Sequence, residues 1–254
     1  MDEPALTPSR RKQWVWLLLV PSAAILLIPC LCLLIPTENL VAMKLQSQGY
    51  DILYNIFDDM WVWHRPTHFS NRQDFTGTGG KGKPGYEVNN QILVELQKMP
   101  RLQHIIFSDT DLSHLDLELL TKVPSLGSFS IINNCNPAWS PKEIEKLSGC
   151  KQLRFLSLMN SPLTGKEIEP LKACPIVQLR CTLCDLTDAD VAVFTLFPML
   201  GSLDLGDNPG ITDASLDVLA TIPTLQLLFI YNTGVTEAGI EVFQKKRPDV
   251  SLMH

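Results

Sequence analysis

The chain has 254 residues, of which 45% are apolar and 19% charged, and its formal net charge is −6. This composition is that of an ordinary globular protein and argues against an intrinsically disordered chain. The acidic balance argues against a nucleic-acid-binding protein, because such proteins need a basic surface to replace the counterions of the phosphates.

An apolar segment near the N-terminus has the length of a membrane span. Residues 14–36 carry no charge and follow a basic triplet at 10–12. A helix over this segment would be about 34 Å long, enough to cross the hydrocarbon core of a bilayer. Trp14 and Trp16 stand where an interfacial aromatic belt is expected, and the triplet favours a cytoplasmic N-terminus. The sequence therefore predicts a cytoplasmic segment at 1–13, a single transmembrane helix and an extracytoplasmic remainder.

A cleaved signal peptide is the alternative for this segment. The apolar region of a signal peptide is usually about 7 to 15 residues long and precedes a small-x-small cleavage site. Here the apolar run is longer, and Leu40-Val41-Ala42 is a poor cleavage site. An uncleaved anchor is favoured, and cleavage stays open.

Residues 37–91 are predicted to form a juxtamembrane region and an N-terminal cap. Thr37 can cap a helix that Gly49 ends, and residues 50–57 have the pattern of a short strand. A solenoid exposes its core at the first repeat unless another segment covers it, so we expect this region to be that cover. The glycine-rich stretch 76–86 is predicted to be a loop.

Two groups of residues in the cap resemble ligand sites. Residues 77–84 nearly match a phosphate-binding P-loop, but Pro84 stands where the motif needs a hydroxyl group for Mg²⁺. A possible metal site is interrupted by Pro66, which breaks the helix that would align its histidines. Its candidate ligands are Asp58, Asp59, His64 and His68. A linker and a cap loop are the simpler interpretations, so no cofactor and no metal ion are predicted.

Residues 92–254 contain six copies of one repeat. Each copy has alternating apolar residues, typical of a short strand with one face in the core, then a small or polar residue and a helical stretch. Self-similarity at this period is typical of a solenoid, in which each unit buries its apolar face against its neighbours. The copies start 23 to 27 residues apart, at Leu102, Leu126, Leu153, Ile176, Leu200 and Leu225, with a truncated seventh at Val250.

The small or polar residue of each copy is expected to bind backbone groups where the chain turns away from the strand. These residues are Thr110, Asn134, Ser161, Cys184, Asn208 and Thr233. The tripeptides at 187–189, 212–214 and 236–238 are Thr-Asp-Ala or Thr-Glu-Ala and predict helix N-termini. Cys181 and Cys184 form a C-x-x-C pair without a second ligand pair, so both are predicted to pack in the core.

The copies LGSLDLGDNPGITDASLDVLATIP and LQLLFIYNTGVTEAGIEVFQKKRP resemble the leucine-rich repeat family, in particular its bacterial membrane-anchored type with short repeats that carry a T-D-A turn. The resemblance implies an α/β horseshoe with parallel strands on the concave face and helices on the convex face. The 27-residue copy, which contains residues 136–139, departs from the pattern and is expected to form a local bulge. The family includes receptors, inhibitors and scaffolds, so the resemblance implies binding and no single function.

The concave face is the predicted binding surface. Equivalent residues of neighbouring strands stack about 4.8 Å apart, in rows that begin at His104, Ile106 and Ser108. An apolar island is expected around Phe155, and a second one around Phe229 unless the C-terminal residues 250–254 cover it. The residues predicted to contact a partner are Ile106, Ile132, Phe155, Met159, Arg180, Asp204, Phe229 and Tyr231. Arg180 and Asp204 are also expected to form a cross-strand ion pair worth under about 1 kcal/mol.

No catalytic motif accompanies these features, since the chain lacks both G-x-S-x-G and H-E-x-x-H sequences. We therefore predict a non-enzymatic, membrane-anchored protein that binds another protein through its concave face. The alternatives are a structural component of the cell envelope and, less favoured, a nucleotide-binding regulator that uses the glycine-rich loop.

Overall fold

The computed structural model describes residues 37–48, 50–54, 66–70, 87–133 and 142–254. The predicted segment 1–13, the transmembrane helix 14–36 and the glycine-rich loop 76–86 lie outside these residues, as do Asp58, Asp59, His64 and Asn134. Within the described part of the chain, no helix is long and apolar enough to span a bilayer.

Nine strands of the described chain form one sheet, in which each strand lies beside its neighbours in chain order. The first two strands pair antiparallel, and every later pair is parallel. The strands are β1 Asp51–Tyr54, β2 Pro66–Ser70, β3 His104–Ser108, β4 Ser128–Ile132, β5 Phe155–Met159, β6 Gln178–Thr182, β7 Ser202–Asp204, β8 Leu227–Phe229 and β9 Ser251–Met253. Each predicted repeat, including the truncated seventh, supplies one strand, so the predicted α/β solenoid with a parallel sheet is confirmed.

Short helices connect the strands on the core side of the sheet. The α-helices are α1 Thr37–Ser47, α2 Asn90–Leu96, α3 Lys142–Glu145, α4 Gly165–Ile168, α5 Asp213–Leu219 and α6 Glu237–Lys246. The 3₁₀ helices are Leu117–Lys122, Lys146–Gly149, Glu169–Ala173 and Val191–Leu196. Two repeats use a single 3₁₀ helix, two use an α-helical turn followed by a 3₁₀ helix, and the last two use an α-helix.

Two of the three predicted helix N-termini are confirmed. The side chain of Thr212 accepts a hydrogen bond from the backbone of Ala214, and that of Thr236 accepts one from Gly239. The third prediction, at 187–189, is wrong, because the next helix begins only at Val191. There the backbone N–H and the hydroxyl of Thr187 both donate to the carboxylate of Asp190, at 3.0 and 2.9 Å.

A continuous hydrophobic core lies between the sheet and the helices. At its N-terminal end the rings of Phe69, Phe107 and Phe129 follow one another edge to face, with centroids 6.2 and 5.3 Å apart. Tyr50 lies 5.3 Å from Phe69, and its hydroxyl donates to the backbone carbonyl of Glu87 at 2.6 Å. These aromatic contacts extend the core beyond the first repeat, to the two N-terminal strands.

The cysteines of the described repeats are buried free thiols, which confirms the core-packing prediction for Cys181 and Cys184. Burial raises the pKa of Cys150 and of Cys184 to about 12. The Cys184 thiol donates to the carbonyl oxygen of Leu158 at 3.1 Å. Such thiols are protonated at neutral pH and pack as small apolar groups.

Asn208, the small or polar residue of the fifth repeat, binds backbone groups of its own repeat and of the preceding one. Its amide nitrogen donates to the carbonyl oxygens of Cys181 and Leu205 at 2.7 and 2.8 Å. Its oxygen accepts from the backbone N–H groups of Cys184 and Leu186 at 2.9 and 3.1 Å. The equivalent residues that also donate to backbone carbonyls are Thr110, Ser161, Cys184 and Thr233. The predicted role of this position is confirmed at each of these described residues.

The aspartates of the T-D-A turns connect successive repeats. Asp188 accepts hydrogen bonds from the backbone N–H and the hydroxyl of Thr212, at 2.8 and 2.6 Å, and a third from Ser215. Asp213 accepts the same pair of bonds from Thr236, at 2.8 and 2.7 Å. Burial would raise the pKa of Asp188, but the hydrogen bonds from Ser215 and Thr212 outweigh it and the pKa is lowered. Each aspartate thus fixes the threonine that caps the next helix.

Arg247 performs a comparable role at the last repeat. Its guanidinium donates to the carbonyl oxygens of Ala220, Ile222 and Leu225 at 3.1, 2.8 and 2.9 Å. The carboxylate of Asp249 holds the same guanidinium at 2.8 Å. The planar fork of arginine satisfies several backbone acceptors at once, which a lysine ammonium cannot reproduce.

Glu95 of α2 binds Lys44 of α1 and also Lys98, which follows α2. Its carboxylate lies 3.1 Å from the ammonium of Lys44 and 2.8 Å from that of Lys98, and its side chain is only 8% exposed. Hydrogen bonds from Lys98 and then Lys44 lower the pKa of Glu95 below its usual value.

We expect Glu95→Gln to lower the free energy of unfolding by about 1 kcal/mol at neutral pH, since both lysines are half exposed. A carboxyl whose pKa is lowered in the folded state stabilises the fold above its unfolded pKa of about 4.3, and this contribution is lost as the pH falls through the folded value. Urea unfolding of the full chain should therefore show a smaller difference between variant and parent at about pH 3 than at about pH 7. Glu169→Gln, in the exposed pair with Lys172, is the control and should change little. An equal loss at both pH values would contradict the role of Glu95.

Candidate protein-binding face

The face of the sheet opposite the core is built from rows of equivalent residues, as predicted. The row that begins at Ile106 continues in register through Ser130, Ser157, Arg180, Asp204 and Phe229. The row from His104 runs in the same way to Leu227, and the row from Ser108 runs to Thr182. We call these three rows, from β3 to β8, the open face.

The residues predicted to contact a partner have different degrees of burial. Asp204 is buried, whereas the other seven are half-buried; these are Ile106, Ile132, Phe155, Met159, Arg180, Phe229 and Tyr231. Ile132 and Met159 are register partners on β4 and β5. Phe155 and Met159 lie at opposite ends of β5, about 13 Å apart along the strand. They therefore lie at two separate places on the face, where the sequence predicted one apolar island.

The predicted ion pair between Arg180 and Asp204 is confirmed, with 2.9 Å between Nε and Oδ2. The other carboxylate oxygen of Asp204 accepts from the backbone N–H of Gly206 at 3.0 Å. The Asp204 side chain is 7% exposed, and that of Arg180 is 42% exposed. Asp204 therefore orients the guanidinium, and Arg180 is the member of the pair that a partner can reach.

Tyr231 lies across the sheet at Gly206, where any side chain would overlap its ring. Burial raises the pKa of Tyr231, so the phenol is neutral at physiological pH. The C-terminal strand β9 pairs with β8 in the plane of the sheet, with Phe229 opposite Met253. The C-terminal residues thus extend the sheet beside Phe229, and both aromatic side chains keep part of their surface exposed.

A row that sequence reasoning missed runs along the end of the strands, one residue before each small or polar position. Its members have left-handed φ angles between 49° and 56° and are Asp109, Asn133, Asn160, Leu183, Asp207 and Asn232. The amide of Asn133 donates to Asp109 at 3.1 Å, and that of Asn160 donates to Asn133 at 3.1 Å. Aspartate and asparagine tolerate this backbone conformation better than other residues with side chains.

Leu183 interrupts this row with a bulky apolar side chain that is 49% exposed. It comes directly after Thr182, the register partner of Met159. Leu183 therefore places an exposed apolar side chain at the end of β6. Aligning the repeats on the small or polar residue would have revealed it, since the preceding residue is aspartate or asparagine in the other five copies.

We expect Leu183→Asn to raise the free energy of unfolding by about 1 kcal/mol, because it relieves the left-handed strain of a bulky residue and restores the amide row. The reverse change, Asn160→Leu, should lower it by a similar amount. Thermal and urea unfolding of the full chain measure both effects. A Leu183→Asn variant as destabilised as Asn160→Leu would show that Leu183 belongs to the packing of the fold.

Two grooves open along the edge where the strands begin. The first has a volume of about 520 Å³ and is lined by Gln103, Gly127, Arg154 and Phe155 among others. The second has a volume of about 700 Å³, and its lining includes Val177, Met199, Gly201 and Gln226. Among the described residues, no group of histidine, cysteine, aspartate and glutamate side chains could hold a metal ion.

No protein-family model matches the chain, and no curated protein matches it in sequence. Solved structures do match it. The structure of human 5T4 (Wnt-activated inhibitory factor 1, trophoblast glycoprotein) has a TM-score of 0.51 at 18% identity, over 72% of this chain and 66% of that one. The described chain has a leucine-rich repeat fold.

Two further leucine-rich repeat structures resemble the chain less. An internalin (inlF) from Listeria monocytogenes has a TM-score of 0.39 at 13% identity, over 63% of this chain and 56% of that one. TLR13, in a complex with ssRNA13, has a TM-score of 0.42 at 21% identity, over 65% of this chain and 26% of that one. This chain spans less than two thirds of each of the three proteins, and at these identities the likeness concerns the fold alone. The bacterial membrane-anchored type and the absence of nucleic-acid binding remain predictions.

Proposed function

We propose that the chain is a non-enzymatic protein-binding module that residues 14–36 hold at a membrane, with its repeats outside the cytoplasm, and that the open face binds the partner. The observation that carries the proposal is the near absence of net charge on this face. Within its three rows the formally charged side chains are Arg180 and Asp204, which neutralise one another. The whole chain has a net charge of −6, so this face differs from the rest of the protein.

The surface shape of the open face also suits a protein partner. Ser128, Ser130 and Ser157 occupy positions on adjacent strands and are buried between larger neighbours. These short side chains form a shallow depression in the face. The larger side chains of Ile106 and Phe155 project on either side of it in the same rows. Protein interfaces concentrate their binding energy where aromatic and aliphatic side chains enter such depressions and where charged groups are few.

A partner that binds this surface immobilises little of the chain, so binding loses little conformational entropy. The large side chains project from backbone that is hydrogen-bonded to both neighbouring strands, so binding does not have to order a loop. Aromatic anchors on rigid backbone have few rotatable bonds to immobilise. The leucine-rich repeat fold is compatible with many kinds of partner. We therefore infer a protein partner from the chemistry of the face and not from the fold.

Site-specific photo-crosslinking in intact cells tests the binding surface. A photoreactive phenylalanine analogue at Phe155, Met159 or Phe229 should give a discrete adduct with one protein. The same analogue at Leu196 or Val242, which are exposed on the helical side at 44% and 49%, should not. Adducts that arise from the helical side alone, or equally from both sides, would contradict the proposal.

Protease treatment of intact cells tests the membrane arrangement. With the repeats outside the cytoplasm, added protease should remove an epitope placed after His254 and leave an epitope placed before residue 1 intact. Membrane fractions should retain the untreated chain after a carbonate wash. An epitope after His254 that survives until the membrane is broken would place the repeats in the cytoplasm and reverse the proposed orientation.

A further inference from the structure

Both grooves at the edge of the sheet lie along one row of equivalent residues, one from each repeat. Backbone N–H groups in this row donate to the carbonyl of the preceding repeat, at distances of 2.8 to 3.0 Å. The members of the row are Gln103, Gly127, Arg154, Val177, Gly201 and Gln226. Two of the six positions are glycine, in the sequence Leu-Gly-Ser each time, and a missing side chain leaves a gap in the row. We call these gaps the Gly127 notch and the Gly201 notch.

The Gly127 notch carries a positive charge and several amide side chains. Arg154 borders it, and no carboxylate among the described residues lies within ion-pair distance of this guanidinium. Amide side chains from three of the repeats complete the lining, at Gln103, Gln152 and Gln178. Amides donate and accept hydrogen bonds as the backbone of an extended peptide requires, and a free guanidinium favours a carboxylate.

The Gly201 notch is mostly apolar. Val177, Pro198 and Met199 line it, and the Met199 side chain is 43% exposed. The one carboxylate at this notch belongs to Asp249, and Arg247 already neutralises it at 2.8 Å. A flexible methionine beside two stiff apolar residues suits an aliphatic or aromatic side chain.

The distance between the notches matches the repeat of an extended chain. Gly127 precedes β4 and Gly201 precedes β7, so three strand spacings of about 4.8 Å separate them, or about 14 Å. An extended polypeptide rises about 3.4 Å per residue, so residues four apart are also about 14 Å apart, and they point to the same side.

We propose that the edge of the sheet binds an extended segment of a partner protein, with an acidic side chain in the Gly127 notch and an apolar side chain, four residues away, in the Gly201 notch. The segment runs across the strands, and the glutamine amides bind its backbone at the Gly127 end. This inference rests on the proposed protein-binding function and names the chemistry of the partner.

Leucine substitutions at the glycines are expected to fill the notches, and the backbone there accepts a side chain. A Cβ atom at Gly127 would lie 3.8 Å from its nearest neighbour, and one at Gly201 would lie 3.7 Å away, both ordinary contacts. Neither glycine has a left-handed φ angle, so leucine adopts the same backbone. Ala192→Leu, at an exposed position on the helical side, is the matched control.

The probe is a phage-displayed library of random dodecapeptides, selected on the full chain in mild detergent. Selected peptides should share aspartate or glutamate at one position and leucine, isoleucine, methionine or phenylalanine four positions away. In titrations with a synthetic consensus peptide, Gly127→Leu and Gly201→Leu should each weaken binding at least about tenfold, which is about 1.4 kcal/mol. Ala192→Leu should leave the affinity unchanged, and Arg154→Glu should shift the selected charge from acidic to basic.

Three results would overturn the inference: no enrichment over the unselected library, a consensus without the four-residue spacing, or an affinity that neither glycine variant changes. Any of these results together with crosslinks from Phe155 or Phe229 would remove the notch inference and leave the proposed function standing. An absence of crosslinks from the whole open face, by contrast, would remove the proposed function itself.

Discussion

The hydrogen bonds of the turn after each strand are the interaction on which the rest of this structure depends. Parallel strands exchange no hairpin contacts, so their register has to be fixed where the chain leaves the sheet. A left-handed residue makes the turn, and from Asp109 to Asp207 its backbone N–H donates to a carbonyl of the next repeat. The side chain that follows binds backbone groups of its own repeat, and Asn208 also binds groups of the preceding repeat with both ends of its amide. Because the bonds cross from one repeat to the next, each repeat determines the position of its neighbour.

The candidate surfaces follow from this register. Side chains that alternate away from the core become straight rows, and what each row presents depends on one residue per repeat. Serines produce a shallow depression on the open face, and glycines at one position produce the two notches at its edge. The T-D-A aspartates reinforce the same register on the helical side, where Asp188 and Asp213 hold the capping threonines of the next repeat. A surface built in this way needs no ordering when a partner arrives.

Periodicity explains why the sequence predicts the sheet, its rows and the Arg180–Asp204 pair correctly. Each of these depends on a spacing that recurs six times, so a local irregularity cannot hide it. The failures concern features that depend on partners distant in sequence or on a single backbone angle. Glu95 has its lysine partner 51 residues away. Leu183 replaces the aspartate or asparagine of the other five copies, and the φ angle of 56° is what gives that difference its meaning. The helix predicted after Thr187 begins only at Val191, and the Thr187 hydroxyl donates to Asp190.

Amide hydrogen exchange of an Asn208→Ala variant tests most directly whether turn side chains hold the repeats together. Asn208 binds the carbonyl of Cys181 in β6 and the N–H of Cys184 beyond it, so its loss leaves buried groups of the preceding repeat without partners. We predict that the free energy of opening falls by at least about 2 kcal/mol for amides of both β6 and β7. Unchanged protection of the β6 amides in the variant would contradict this account. It would show that a repeat keeps its position without hydrogen bonds from the turn of the following repeat.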